Sequence, residues 1–264
     1  MFARFRPPAR PTVQVWPTAH DACGSTAISL DTASRFENIL HAIENQPTSL
    51  EITGSSLVLL GDFNPAIFQP HWFSSQGLIP PAEAREAKDF VVHNELTVLK
   101  LPWVQVQVTH KQFIASTTQE SHFEAVRDLV ISIFSLLKHT PMQKIGINLE
   151  QHHRFADVER YKEFGHKLAP KDAWRKTLTD PGLVKMIVVQ NTRDDGYRGH
   201  IQVDLEVSDR VRPGGVYFRV NDHFEWPPAE GAPGTETALK ILSNEFKKSL
   251  NRSRKTIDSI LSIA

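Results

Sequence analysis

Apolar positions along the chain change their period several times, and the changes mark out the elements. Phe36, Ile39, Leu40 and Ile43 recur every three or four residues behind Asp31, with Pro47 just beyond, which predicts a helix over 31–45. Residues 57–60 are wholly apolar and predict a short strand. In the proline- and aromatic-rich stretch 61–81, Asn64-Pro65 reads as a cap and a first-turn proline, so a single helical turn is expected there. A short helix over 81–88 follows. Two strands are then expected, over 95–100 and 103–117. In the second, Val104, Val106 and Val108 alternate with Gln105, Gln107 and Thr109, as on a strand with one buried face and one wet face. Ser121 to Glu124 have capping-box spacing. Behind them Phe123, Val126, Val130, Ile133 and Leu137 form a helical stripe that Leu129, Phe134 and Leu136 widen, and Pro141 ends it.

A second cycle then begins. It reads as a strand over 144–155, a helix over 157–167, a shorter helix over 173–178, and strands over 183–190, 199–208 and 216–226. Asp194-Asp195-Gly196 and Arg212-Pro213-Gly214-Gly215 are turn signals, so these three strands form an antiparallel meander. Met186, Ile187, Val188 and Val189 are apolar on both faces, as in a central strand. Leu239, Leu242, Phe246, Leu250, Ile257, Ile260 and Leu261 carry a last helix over 235–262.

This order predicts an α+β protein: mainly antiparallel sheets backed by helices, in two successive α+β units with a long C-terminal helix. The units are 26–143 and 144–264, packed as one compact body. The second half also suits a helix-grip arrangement. Over 1–25, Pro7, Pro8, Pro11 and Pro17 forbid a continuous helix, and a flexible tail is expected.

Composition narrows the classes. With 40% hydrophobic and 23% charged residues among 264, the chain is an ordinary globular one. Thirty basic side chains balance thirty acidic ones, which weakens bulk attraction to nucleic acid or anionic lipid. The longest apolar stretch, around 129–137, is too short to cross a bilayer. One cysteine, Cys23, leaves no intrachain disulfide and no cysteine-based zinc site, and fits a cytoplasmic protein. No dinucleotide-binding fingerprint, P-loop or nucleophile elbow is present, and no cofactor is expected.

Candidate sites come from faces. Alternation puts Glu150, His152, Asp204, Arg219, Asn221 and His223 on one polar face if their strands share a sheet, with His153 on the other side. A solvated surface is one reading of that face. A divalent-metal site is the other: metal ligands Glu150, His152, His153 and His223, and a hydrolytic or nucleolytic centre using Glu150, His152, Asp222 and His223, since imidazoles and carboxylates ligate such ions. Phe68, His71, Trp72 and Phe73 are candidates for an interaction surface, the alternative being that the aromatic rings seal the core. Lys247, Lys248, Arg252, Arg254 and Lys255 gather late in the last helix, where a nucleic-acid contact competes with a solvated helix face.

At FNPAIFQPHWFSSQGLI, IGINLEQHHRF, GHKLAPKDAW and VNDHFEW the chain resembles a group of uncharacterised bacterial proteins of similar length. These resemble in turn a sporadically distributed α+β family of unknown function with the same order of elements and a long final helix. The resemblance implies a fold and no chemistry. The expectation for function is therefore a non-enzymatic cytoplasmic binding or protein-interaction protein, such as a subunit of a bacterial assembly, with a protein partner or self-association and no membrane contact. The alternatives are the metal-dependent hydrolase and a small-molecule carrier with a cavity under the C-terminal helix.

Overall fold

The computed structural model describes residues 48–87, 90–227 and 234–264. The tail read over 1–25, Cys23 and the helix expected over 31–45 lie outside the described residues. Within them the elements run β1 (Thr48–Gly61), α1 (Pro70–Ser75), α2 (Pro81–Glu86), β2 (Phe90–Val92), β3 (Leu96–Lys100), β4 (Gln105–Thr109), β5 (Gln112–Thr117), α3 (Phe123–Leu136), β6 (Met142–Phe155), α4 (Val158–Leu168), β7 (Lys185–Gln190), β8 (Arg198–Val207), β9 (Gly215–Glu225) and α5 (Thr235–Leu261). Among the described residues no helix is long and apolar enough to cross a membrane.

The nine strands form one antiparallel sheet in the order β2-β3-β4-β5-β1-β6-β9-β8-β7. The fold is α+β, an antiparallel sheet backed by helices with a long helix at its C-terminal end. Each half of the chain builds half of the sheet in the same way. β1 is followed by a meander whose last strand, β5, returns beside it, and α3 closes that half. β6 is followed by a meander whose last strand, β9, returns beside it, and α5 closes the second. β1 pairs with β5 on one side and with β6 on the other, so the boundary expected at 143/144 lies inside one sheet and one core.

Alternation decides which side of each strand is buried. Leu57 and Leu59 of β1, Phe113 and Ala115 of β5, Ile145, Ile147 and Leu149 of β6, and Phe218, Val220 and Phe224 of β9 are all buried. They pack with Val130, Ile133 and Phe134 of α3 and with Leu242, Phe246 and Ile257 of α5. Each of the Val, Leu, Ile and Phe side chains among them is worth about 1.5–3 kcal/mol of burial.

Three local expectations change. β1 spans fourteen residues, because its polar first part is held by pairing rather than by apolar burial: Ser55 Oγ donates to the Asn148 carbonyl at 3.0 Å. The stretch expected as one strand over 103–117 folds back at His110-Lys111. No residue of that turn has positive φ, so it lacks the usual glycine signal; the Thr109 hydroxyl closes it by accepting from Gln112 N at 3.2 Å. At 121–124 no capping box forms. A 3-10 turn over Glu120–His122 takes its place, and α3 starts at Phe123 without a side-chain cap. Asn64 does cap its turn, accepting from Ala66 N at 3.1 Å.

Candidate functional site

The sides of the strands turned away from α3 and α5 form a groove of about 920 Å3. Its floor crosses β4, β5, β1, β6, β9 and β8. The loop 100–104 with Trp103, residues Thr118 and Gln119, and Arg210 also line the groove. Residues directly opposite one another on paired strands share a face. The registers therefore align one rung across six strands: Gln105, Ser116, Ser56, Asn148, Asn221 and Gln202. Every member is an uncharged amide or hydroxyl. At about 4.8 Å between strands the rung is about 24 Å long. The next rung is Gln107, Ile114, Val58, Gly146, His223 and His200, apolar in its middle and ending in two imidazoles.

Gly146 leaves room here. A β-carbon on it would lie 2.8 Å from Asn221 Oδ1, an acceptor that is buried and has no hydrogen-bond partner among the described residues. A buried acceptor left open costs free energy. Charge on the floor is largely cancelled: Arg219 forms an ion pair with buried Asp204, which also accepts from Gln202 Nε2 at 2.7 Å. Glu150 faces Arg219 across the strands. Burial, and then the Glu150 carboxylate, push the Tyr217 hydroxyl above its ordinary value.

Glu150, His152 and His223 lie on this face as expected, and His223 is far from the other two. His152 sits opposite Tyr217 and His223 opposite Gly146, six register positions away, or about 20 Å along the strand. His153 is on the helix side, as its parity requires, with its ring edge-on to Phe218. Asp222 is on the helix side too, where it accepts from Arg193 Nη1 at 2.5 Å and Arg252 Nη2 at 2.7 Å. The metal-ligand and hydrolytic sets therefore do not converge. Among the described residues no three His, Cys, Asp or Glu side chains gather closely enough to hold a metal ion.

The individual histidines have local partners. His152 Nδ1 is 2.8 Å from Ser208 Oγ. This resembles a nucleophile and its base, but Ser208 is fully buried and its oxygen already accepts from Arg210 N and Val211 N, so it braces a turn. Burial, and then Arg210, lower the His152 pKa. His223 stacks on His200 with ring centroids 4.6 Å apart; burial, and then His200, hold it below the usual histidine range.

The aromatic segment belongs to the core. Phe68 and Phe73 are 1% and 0% exposed, Trp72 packs on them, and the Phe68 ring lies 5.4 Å from Phe113. Of the proposed interaction set only His71 is exposed. The basic stretch of α5 is largely taken up by ion pairs: Lys247 with Glu124, Lys248 with Glu245, Arg252 with Asp222 and Arg254 with Glu120, while Lys255 is exposed. The sheet side of α5 is filled by Ala238, Ile241, Leu242, Phe246, Leu250 and Ile257, and the groove is on the opposite face.

The sequence pattern gave the polar sides of β6, β8 and β9, and named Gln105 and Gln107 as a wet face. It missed Ser56 and Ser116, which join these into one rung. The signal for them was pairing of β1 with β5 and β6, which periodicity does not contain. No protein-family model matches the chain, and no curated protein matches it.

Proposed function

We propose that the protein is a non-enzymatic, cytoplasmic binding protein that receives an extended polypeptide segment of a partner in the groove, across the strands. We include in this reading its kinship with the bacterial α+β group that it resembles. The rung of uncharged amides and hydroxyls carries the reading: five of its six members, from Gln105 to Asn221, line the groove, and peptide groups of a bound segment would find donors and acceptors along them. Its apolar side chains would rest on Ile114, Val58 and Leu60. The near-neutral floor suits such a segment better than it suits a polyanion.

The test is affinity purification from the native host with wild type and with Val58→Lys/Ile114→Lys. Loss of a co-purifying polypeptide from the variant, with its circular dichroism unchanged, is expected. A partner retained by the variant would remove the reading. The groove volume favours a second reading, a polar small ligand, because such pockets run from about 300 to 1,000 Å3. A native mass spectrum with a bound small molecule and no polypeptide would select it.

A further inference from the structure

β7 has the composition of a buried central strand and the position of an edge. Ile187, Val188 and Val189 are 50%, 56% and 40% exposed, and among the described residues only β8 pairs with β7. Sheet edges are usually guarded by charge, proline or a bulge. From Met186 to Gln190 this one has none of these, and its single charge, Lys185, is held by Glu206 at 2.5 Å.

We infer that β7 pairs edge to edge with β7 of a second copy of this chain, antiparallel about a twofold axis, so that two nine-stranded sheets become one. The strand's own pattern favours a second copy. A twofold axis perpendicular to the sheet keeps each strand face on its own side. With the axis through Val188, the two Val188 side chains meet, Ile187 meets Val189, Met186 meets Gln190, and Lys185 meets the neutral Asn191. The central pairs set apolar groups against apolar groups on both faces, Met186 meets a neutral amide, and no like charges oppose one another.

The backbone agrees with this register. Val207 N donates to Val184 O at 3.1 Å, so by antiparallel alternation Met186 and Val188 turn their backbone groups toward β8. Lys185, Ile187 and Val189 turn theirs outward. These are the residues that would exchange bonds with the second copy. Val184 and Val207, both exposed beside β7, extend the apolar surface.

Mass measured by light scattering or sedimentation tests this. Wild type at micromolar concentration should show twice the 29.8 kDa of one chain. Val188→Lys would set two ammonium groups face to face and should give a monomer with an unchanged circular dichroism spectrum. In a Cys23→Ser background, Val188→Cys should form an intermolecular disulfide on mild oxidation, because directly opposed, non-hydrogen-bonded residues have Cα atoms about 4.5 Å apart. Val207→Cys should not. Hydrogen exchange at the Ile187 and Val189 amides should slow as concentration rises. A monomer at every concentration overturns the inference, as does a dimer that survives Val188→Lys. Slow exchange of those amides in a monomer would overturn it too, by showing that another segment of the same chain covers the strand.

Discussion

Asp222 and His223 are neighbours in the chain and lie on opposite faces of the sheet. The carboxylate is buried against Arg193 and Arg252 beneath α5, while the imidazole stacks on His200 in the groove. Arg193, 2% exposed at its side chain, also lies over the Phe224 ring at 4.0 Å and is held by Asp195. This cluster ties the loop before β8 to β9 and to the last helix.

Asp222→Ala should therefore act on stability. It leaves a buried guanidinium without one of its two carboxylates, which costs about 3–5 kcal/mol. Urea unfolding of the variant should show a loss of that size, equal with and without chelator. A chelator-dependent difference would instead mean that Asp222 holds a metal.

Phe73→Ala should cost about 3–5 kcal/mol, since the ring is fully buried and meets Phe68 and Trp72. His71→Ala, at an exposed position of the same helix, should stay within about 0.5 kcal/mol. Thermal melts of the two variants check this. Equal, small effects would return the aromatic segment to the surface.

Acid should weaken the protein through His153. Burial holds this imidazole down to about 4, against 6.5 when free. The folded state stays neutral there while the unfolded chain takes up a proton, so stability is full above pH 6.5 and falls as pH drops from 6.5 towards 4. At about 1.4 kcal/mol per pH unit, His153 alone should remove about 2 kcal/mol between pH 7 and pH 5. His153→Leu should flatten that part of the profile in urea titrations at the two pH values. His152 and His223, lowered in the same direction, leave a residual slope of the same sign.

Gly146→Ala tests the groove gently. The added methyl meets the end of the Asn221 side chain, which can turn aside, so unfolding free energy should change by less than about 1 kcal/mol. By displacing the Asn221 amide from the rung it should lower capture of the partner by up to about tenfold, the worth of one hydrogen bond of about 1.4 kcal/mol. A large stability loss would show that Asn221 is fixed by the fold.

Much of the fold could be read in advance, because most elements carry their own period. The stripe Phe123, Val126, Val130 and Ile133 is buried as predicted, and so are Ile145, Ile147 and Leu149. Alternation also placed Glu150, His152, Arg219, Asn221 and His223 on one face. What could not be read depends on which strand lies beside which. The first half of β1 has only Leu50 and Ile52 alternating with polar residues, neither of them buried, and is defined by its neighbours. The distance from His152 to His223 follows from register between β6 and β9, which no local pattern encodes. Met186 to Val189 gave the wrong place in the sheet for a sound reason, their apolar composition.

The central seam between β1 and β6 has a consequence for how the chain is made. Thr48 finds its partner at Phe155, more than a hundred residues later. During synthesis the fourteen-residue edge of β1 stands bare after β5 has docked, until β6 emerges, and contacts of such long sequence separation slow folding. Cutting between α3 and β6 would leave each fragment with one long unpaired strand edge. The two pieces expressed together should reassemble at that seam, and either one alone should aggregate.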